Sequence, residues 1–376
     1  MAVADLAITD VIAHPLSCKL PKPQRTGFGD YPVIELVLVE IRTDAGIVGL
    51  GECLGRAGAV AYAQAIERIL KPALVGRNPL DSQALWRAMQ RKLSGRSGGM
   101  LIEAIAGVDI ALWDIAGKVA GLPVHRLLGS MGRARVDAYA SSINWFDDAQ
   151  AEAETRDCLA LGFRQIKVKI GRSARDAIRR CELIRRVAGV AVKLMTDANW
   201  AFDVDEAVAV GDAMAALDYW WFEEPIAPEN VAGYVALRAK TKVRLAAGES
   251  DYTVWHAREL IERQAVGVIQ PDVACAGGIS ETRRIADLAH AYHVAYAPHV
   301  GWSGAICVAA SLQLAAAAPN FLTYECMAYD NPLRQALTTV PVGDSRHLVD
   351  GQAEVPQGPG LGVAIDWDVV ARYRAS

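Results

Sequence analysis

Ionisable residues recur at regular intervals along the C-terminal two thirds of this 376-residue chain. Each one stands where a short run of β-forming residues stops, and successive members are about 26 residues apart. One charged residue at a strand end is usually only a solvated loop residue, but seven consecutive occurrences favour a shared site. The seven residues are Lys169, Asp197, Glu223, Glu249, Asp272, His299 and Glu325.

Three of these residues are carboxylates that end consecutive predicted strands: Asp197, Glu223 and Glu249. Neighbouring carboxylates repel one another unless a cation lies between them. A ligand set made only of oxygen favours a hard divalent ion, which is Mg²⁺ or, as a substitute, Mn²⁺. Zinc is disfavoured because neither histidine nor cysteine belongs to the cluster. The spacing therefore predicts one Mg²⁺ site.

The remaining strand-end residues could carry protons. Lys167 and Lys169 alternate along one strand, so both side chains point to the same face. Two adjacent ammonium groups near a divalent cation disfavour each other's protonation, which lowers a lysine pKa towards the range of a useful base. Asp272 and His299 end neighbouring strands, where a carboxylate bonded to one imidazole nitrogen leaves the other free for proton transfer. Glu325 either donates a hydrogen bond to a substrate carboxylate when protonated or only supports the site.

A divalent ion between a lysine and a histidine suits one kind of reaction. Removal of a proton α to a carboxylate produces an enediolate, which is too unstable to form readily in water. A metal ion and nearby hydrogen-bond donors stabilise the charge that develops. The strand-end residues therefore predict metal-assisted proton abstraction α to a carboxylate.

A (β/α)8-type TIM barrel over residues 134–340 would bring these residues together. Eight β-rich runs alternate with helical runs there, and eight is the number that closes such a barrel. The carboxyl ends of barrel strands meet at one mouth, where active sites of this fold lie. The predicted strands are residues 136–141, 163–170, 192–197, 219–224, 243–249, 266–272, 293–299 and 321–325.

Residues 1–133 are predicted to form a separate α+β unit. It contains a β-hairpin, with strands at 33–42 and 47–53 joined by a turn, and it is preceded by a Pro- and Gly-rich loop at 19–32. Helical patterns follow at about 57–74, 81–93 and 100–120. The segment 341–376 follows the eighth strand and is expected to return to this unit.

Composition excludes several other functions. The net charge of −4 and the pI near 6.0 argue against a nucleic-acid-binding protein. Seven scattered cysteines suit free thiols in a reducing compartment. Neither a targeting segment nor an apolar run long enough for a membrane span is visible, so a cytoplasmic protein without a membrane partner is expected. Walker A and H-E-x-x-H motifs are absent from the sequence.

Six ordered motifs resemble those of the enolase superfamily, and within it those of the mandelate racemase subgroup. The likeness covers almost the whole chain and implies a barrel with an N-terminal α+β capping domain that the C-terminal tail completes. The muconate-lactonizing subgroup is disfavoured because its second lysine near the end of strand six is replaced here by Asp272. The motifs are Lys167-Val-Lys169, Thr196-Asp197-Ala-Asn199, Trp221-Phe-Glu223-Glu224-Pro225, Gly248-Glu249, Gln270-Pro-Asp272 and Pro298-His299.

The resemblance also implies roles for individual residues. It implies that the carboxylate triad holds Mg²⁺ and that Lys169 and the His299–Asp272 pair are acid/base groups. Glu325 would act as a hydrogen-bonding electrophile, and Asn199 would lie close to the substrate. A homo-oligomer is also expected for this family.

The substrate implied by the resemblance is a small carboxylate, a sugar acid or its lactone. The segment from 331 to 362 resembles the branch that contains sugar-acid dehydratases and galactarolactone cycloisomerases. Dehydration to a 2-keto-3-deoxy acid is the leading prediction, and a cycloisomerase, racemase or epimerase acting on the same site is the alternative. A catalytically silent metal- or sugar-acid-binding barrel is a remote alternative, because a binding protein does not need two proton carriers.

Specificity is expected to lie in loops above the barrel. Aromatic residues near strand ends could stack on a substrate or only pack against the protein. The candidate substrate-binding residues are Asn199, Arg25, Phe28 and Tyr31, with Arg96, Trp200 and Trp302.

Overall fold

The structure is a computed structural model that describes residues 6–27, 29–92, 98–144 and 146–375. Two candidate specificity residues, Phe28 and Arg96, lie outside these ranges. The described chain forms an N-terminal α+β unit and a (β/α)8 barrel, which confirms the predicted fold class.

The N-terminal unit contains a three-stranded antiparallel sheet in the order β1-β2-β3. Its strands are β1 (Ile8–Thr26), β2 (Gly29–Thr43) and β3 (Val48–Leu54), so the predicted hairpin is confirmed. The prediction of a loop at 19–32 is wrong, because β1 continues through most of this segment. Pro21 and Pro23 fall in a break of the pairing register between Lys19 and Gln24, where no ladder N–H is required.

The helices of this unit pack on one face of the sheet. The short α1 (Ala59–Ala65) continues into a wider turn at Ile66–Leu70 and a tight turn at Lys71–Ala73. It is followed by α2 (Ser82–Arg91), α3 (Met100–Ala120) and the single-turn α4 (Val124–Leu127). A Cβ atom at Gly51 would lie 1.9 Å from the carbonyl oxygen of Gly107, so this glycine is required for the close approach of β3 and α3.

All eight predicted barrel strands are confirmed and lie parallel to their neighbours. The order β10-β9-β8-β7-β6-β5-β4-β11 follows the chain, and a bridge between Tyr296 and Phe321 joins β10 to the segment before β11. The strands are β4 (Arg135–Ile143), β5 (Gln165–Lys169), β6 (Lys193–Asp197), β7 (Tyr219–Glu223), β8 (Arg244–Ala247), β9 (Val268–Ile269), β10 (Ala295–Tyr296) and β11 (Tyr324–Cys326).

Helices surround the barrel and bury one apolar face each against the strands. Every residue of the seventh of these helices, α11, is buried, which accounts for its run of alanine. The helices are α5 (Asp148–Ala160), α6 (Ala174–Ala188), α7 (Val204–Ala216), α8 (Val231–Lys240), α9 (Thr253–Glu262), α10 (Ile279–Ala291) and α11 (Ala305–Ala317).

A buried layer of side chains fills the barrel beneath the mouth. It consists of residues that alternate with outward-facing ones along the strands, so the barrel is a packed core rather than a pore. The members of this layer are Tyr139, Met195, Trp221, Ala246, Val268 and Ala297.

The C-terminal segment contacts both parts of the chain. A short α12 (Pro332–Gln335) leads to β12 (Gln352–Glu354), which pairs antiparallel with β4. After α13 (Trp367–Arg372), the backbone N–H of Ser17 on β1 donates to the carbonyl of Tyr373 at 2.8 Å. Within the described ranges, no helix is both long enough and apolar enough to cross a membrane.

Candidate active site

The two alternating lysines of β5 point into the barrel. Lys167 is fully buried and lies 5.4 Å from the ring centroid of Tyr139. Its ammonium group contacts the carboxylate of Glu223 and lies 2.8 Å from Glu325. Lys169 lies two residues further along β5, nearer the mouth. It contacts Asp197, and its side chain is 14% exposed. Of the two lysines, Lys169 is therefore the one that a substrate in the mouth can reach.

The three predicted metal ligands meet at the ends of β6, β7 and β8. Asp197, Glu223 and Glu249 each offer one carboxylate oxygen, and these atoms lie within 4.8 Å of one another. The cluster fits a hard divalent cation, because its donors are all oxygen and because the buried Oε2 of Glu249 accepts no hydrogen bond from the described protein.

The electrostatics of the cluster follow from burial and from the two lysines. Burial raises the pKa of Glu223 to about 7, although Lys167 opposes this rise. Burial also raises the pKa of Asp197, but Lys169 and Lys167 outweigh it and hold this pKa below its usual value. Burial lowers the pKa of Lys169, and Asp197 more than reverses the effect, so the net shift is upward. The sequence predicts a lowered lysine pKa only when a divalent cation is bound in the cluster. That lowered pKa stays a prediction.

Two further side chains hold Glu223 in place. Gln270 donates from Nε2 to Oε2 of Glu223 at 2.7 Å, and the indole N–H of Trp221 donates to the same oxygen at 3.1 Å. Gln270 was not predicted from the sequence to have a role of its own. The available signal was its period-two spacing from Asp272, which predicts the same face of the strand.

His299 and Asp272 form the hydrogen-bonded pair expected from neighbouring strands. The Nδ1 atom of His299 lies 2.7 Å from Oδ2 of Asp272, and Oδ1 of Asp272 accepts the N–H of Ala274 at 2.8 Å. The other ring nitrogen, Nε2, lies 3.4 Å from Glu249. The carboxylate thus orients the ring and leaves Nε2 towards the cluster.

The environment of His299 favours its charged form. Burial lowers the pKa of the imidazole, but Glu249, Glu325 and Asp272 outweigh burial and raise it to about 10. Gly301 leaves the space that this ring occupies, since a Cβ atom at that position would lie 2.6 Å from Nε2.

Glu325 is an ion-paired carboxylate in this structure. It contacts Lys167, and its Oε2 accepts the N–H of Val300 at 2.8 Å. Burial raises the pKa of Glu325, but Lys167 and His299 hold it well below its usual range. This favours the ionised carboxylate, whereas a donor to a substrate oxygen must be protonated.

Asn199 lies beside the cluster with a strained backbone. Its φ is 45°, and its backbone N–H donates to Oδ1 of Asp197 at 2.9 Å. Its side-chain Nδ2 lies 3.3 Å from the other oxygen of Asp197, while its buried Oδ1 has no partner among the described atoms. A free buried acceptor at this position is available to a ligand.

A cavity of about 650 Å³ opens over the strand ends and reaches the N-terminal unit. We call its barrel side the barrel mouth, formed by Lys169, Asn199, Glu249, Asp272, His299 and Glu325. We call the opposite side the capping wall, formed by Gln24, Thr26, Tyr31, Glu35, Leu54 and Arg56.

The candidate specificity residues are distributed unevenly around this cavity. Tyr31, Trp200 and Trp302 line it, and the rings of Tyr31 and Trp302 meet edge to face at 4.9 Å across the two sides. Arg25 does not line it; its guanidinium forms an ion pair with Asp30 on the β1–β2 hairpin, with Nε 2.6 Å from Oδ1.

Arg56 lines the cavity and was not singled out from the sequence. Its Nε and Nη2 atoms donate to Oε1 of the buried Glu103 on α3, at 3.0 and 2.7 Å. The two residues are 47 positions apart, and no periodicity links them. Only the fold brings them together.

These contacts define what the cavity can do chemically. It places a lysine and a carboxylate-oriented histidine at the same oxygen-lined cluster, with aromatic rings above. Such a site can hold a cation and move protons at a substrate bound beside it.

Two family descriptions match the two parts of the chain. The family description "Mandelate racemase / muconate lactonizing enzyme, N-terminal domain" matches residues 8–129, and "Enolase C-terminal domain-like" matches residues 149–369. A D-galactarolactone cycloisomerase of Agrobacterium fabrum is 35% identical, covering 98% of this chain and 99% of that protein. An arabinonate dehydratase of Saccharolobus solfataricus is 36% identical, covering 93% and 92%.

Solved structures show the same fold over nearly the full length. A member of the enolase superfamily from a Polaromonas species has a TM-score of 0.91 at 32% identity, with 98% of each chain covered. An enolase from Bradyrhizobium complexed with magnesium and mandelic acid has a TM-score of 0.88 at 29% identity, with 99% of each chain covered. The chain therefore belongs to the mandelate racemase and muconate lactonizing enzyme family and is an enzyme of the enolase superfamily.

Proposed function

We propose that this enzyme removes the proton α to the carboxylate of a sugar acid and dehydrates that acid to a 2-keto-3-deoxy acid. One observation carries the proposal. Lys169 and the His299–Asp272 pair reach the same cavity from two sides of the carboxylate triad. The dehydratases among the relatives support the choice of reaction and substrate class.

Asp197, Glu223 and Glu249 are the residues that would hold Mg²⁺, and Mn²⁺ is proposed as a substitute. The oxygen-only donor set supports this choice, as does the magnesium bound in the Bradyrhizobium structure. When bound, the ion would supply positive charge that stabilises the carboxylate as negative charge develops on it.

The protein's own groups move the protons. Dehydration needs one group to take the proton from the α-carbon and another to protonate the hydroxyl that leaves the β-carbon as water. The enol that remains becomes the 2-keto acid by gaining a proton at the β-carbon and losing the proton of its hydroxyl group. Lys169 and His299 provide two such groups, and Asp272 holds the His299 ring so that Nε2 meets the substrate.

A cycloisomerase is the second candidate reaction. The similarity to the D-galactarolactone cycloisomerase over 98% of the chain favours it. There the same proton abstraction would expel a ring oxygen rather than water. A racemase or epimerase would instead return a proton to the opposite face of the same carbon, which the same two groups allow.

A panel of sugar acids and their lactones, incubated with the Mg²⁺-loaded enzyme in D₂O, tests these alternatives. A 2-keto-3-deoxy product supports dehydration. A ring-opened or rearranged isomer, or deuterium at the α-carbon without elimination, would replace it with the isomerase reaction. If no acid of the panel reacts or exchanges, the proposed function is wrong.

We also infer a cytoplasmic homo-oligomer. The seven cysteines are free and buried, which suits a reducing compartment. Light scattering at several protein concentrations tests the assembly, and cell fractionation tests the location. A monomer at all concentrations would contradict the inferred homo-oligomer.

A further inference from the structure

Arg56 of the capping wall is an arginine whose position is fixed by the fold. Two N–H groups of its guanidinium, on Nε and Nη2, donate to Glu103, and the side chain is 52% exposed. The backbone of Arg56 has φ of 45°, the left-handed region that side chains rarely adopt. Residues held in such a conformation are often functional.

Glu103 is anchored from several directions. The hydroxyl of Tyr62 donates to its Oε2 at 2.5 Å, and that of Tyr252 donates to its Oε1 at 3.3 Å. The thiol of Cys275 lies 3.6 Å from Oε1. Because Glu103 is 1% exposed, these donors fix the carboxylate, and the carboxylate fixes the guanidinium.

This anchoring also fixes Arg56 relative to the barrel mouth. Tyr252 stands three residues after Glu249, and Cys275 stands three residues after Asp272. Glu103 therefore ties Arg56 to the loops that follow β8 and β9.

One edge of the guanidinium remains available. Glu103 takes the Nε–H and one Nη2–H, whereas Nη1 has no hydrogen-bond partner within the described part of the chain. The remaining Nη1–Nη2 edge presents parallel N–H donors of the kind that binds a carboxylate through two hydrogen bonds. Since an arginine never loses its proton at neutral pH, this edge stays a cationic donor.

Positive charge could meet a substrate carboxylate at two places around the cavity. The carboxylate beside the reacting carbon would be drawn to the cation that the triad would hold. Among the described residues that line the cavity, the lysine is Lys169 and the arginine is Arg56. Lys169 is already paired with Asp197. An anionic group at the other end of the substrate would therefore meet Arg56.

We propose that Arg56 recognises the distal carboxylate of a sugar diacid, so that the enzyme prefers a diacid to the matching monoacid. This rests on the proposed function, since it names the substrate class of the same site. Arg56 contacts the substrate away from the reacting carbons. Its removal should therefore raise KM far more than it lowers kcat.

Matched substrates and variants test this preference. The substrates are galactarate and the other hexaric acids, each paired with the hexonic acid that has a CH₂OH group in place of the second carboxylate. The variants are Arg56→Gln, which removes the charge, and Arg56→Lys, which keeps it without the paired donors. Arg87→Gln is the control, because Arg87 is an exposed arginine on α2 that does not line the cavity.

We expect the wild-type enzyme to have a higher kcat/KM for its best diacid than for the matching monoacid. Arg56→Gln should lower kcat/KM for the diacid about 100-fold, mainly through KM, because a charged hydrogen-bonded pair typically contributes that much. The value for the monoacid should change by less than about threefold. The kcat/KM of Arg56→Lys for the diacid should lie between those of the wild type and Arg56→Gln. Arg87→Gln should have the kcat/KM of the wild type. Equal losses on both substrates, or no loss on the diacid, would overturn the inference.

Binding of unreactive acids separates this inference from the proposed reaction. Adipate and hexanoate have the same length and differ only in the second carboxylate. In calorimetric titrations with Mg²⁺ present, the wild type should bind adipate more tightly, and Arg56→Gln should abolish the difference. If this holds while no sugar acid turns over, the proposed function fails and the recognition role stands. Equal affinities in the wild type would refute the recognition role even if turnover is found.

Discussion

The barrel mouth and the capping wall hold their charged groups in different ways. In the mouth, Lys169 and His299 are 14% and 12% exposed, and each contacts a carboxylate on another strand. On the wall, Arg56 is 52% exposed and depends on one buried partner, Glu103. The mouth is thus a shared network across strands, whereas the wall is a single cation on a fixed support.

This difference separates chemistry from selectivity. A change in the mouth disturbs several groups at once, because Lys167 alone contacts Glu223 and Glu325 and lies 3.9 Å from Asp197. A change at Arg56 leaves that network intact. Substrate preference can therefore change at the wall while the proton transfer at the mouth is retained.

The largest expected effect is the loss of proton transfer from the mouth. Lys169→Ala and His299→Asn should each lower the rate of α-proton exchange or turnover by about 10² to 10⁴-fold, because each removes a general acid or base. Mg²⁺ binding should persist in both variants, since the carboxylate triad is unchanged. Exchange is followed by NMR in D₂O, and metal binding by calorimetry.

Lys193→Ala is the matched control, because Lys193 begins β6 at the opposite end of the barrel and is exposed. It should keep full activity. If both Lys169→Ala and His299→Asn retain activity, these mouth residues do not transfer the protons. The assignment of proton transfer to the mouth and substrate preference to the wall would then be wrong.

A smaller effect is expected when the His299 ring is moved but not removed. In Gly301→Ala, the new Cβ would lie 2.6 Å from Nε2 and 2.8 Å from Cε1, so the ring must shift. A misplaced catalytic group of this kind typically costs about 100-fold in kcat/KM. Steady-state kinetics measure the loss, and calorimetry should find Mg²⁺ affinity unchanged.

Gly58→Ala serves as the comparison, since a Cβ atom there would meet nothing within 4 Å. Wild-type kinetics in Gly301→Ala would show that the ring tolerates the displacement. In that case His299 would not be held as tightly as the mouth network suggests.

The mouth could be predicted from the sequence because the fold repeats. Each βα unit places its strand end at the same height, so a recurrence near 26 residues reports a shared position in space. Period two along β5 likewise predicted that Lys167 and Lys169 share a face. Both rules depend only on local geometry that the repeat fixes.

The wall could not be predicted in this way. Arg56 meets Glu103 because β3 and α3 pack through glycines, and that contact joins residues with no common period. The substrate-binding role of Arg25 stays a prediction, and in this structure its guanidinium pairs with Asp30. A charged residue on a hairpin has many possible partners, and only the register decides among them.

A third prediction concerns support for the metal ligands. Gln270→Ala removes the 2.7 Å hydrogen bond to Glu223, so that carboxylate is less well oriented. Loss of such an outer partner typically weakens metal binding by about 10- to 100-fold. Mg²⁺ titration by calorimetry measures this, with Gln264→Ala on the barrel surface as the control. An unchanged affinity would show that Lys167 and Trp221 suffice to orient Glu223.

The smallest expected effect concerns the junction between the two regions. Glu52 on β3 is fully buried and accepts the backbone N–H groups of Gly304, Ile306 and Cys307 at the start of α11. Burial raises the pKa of Glu52 to about 7, although these donors lower it. The folded state therefore holds a proton that the unfolded state releases at its usual pKa of 4.5.

Glu52 should therefore give the wild type a pH-dependent stability. Its contribution is fully present below about pH 4.5 and is lost as the pH rises to about 7, by up to about 3 kcal/mol. The Glu52→Gln variant should be less stable than the wild type at low pH, because the amide nitrogen of glutamine cannot accept a hydrogen bond. Its free energy of unfolding should also depend less on pH, because the variant lacks the titrating carboxyl group. Urea unfolding at pH 5 and pH 8 measures the difference, with the exposed Glu229→Gln as control. If Glu52→Gln keeps the wild-type slope, Glu52 is ionised throughout this range, and the N-terminus of α11 stabilises its charge more than burial opposes it.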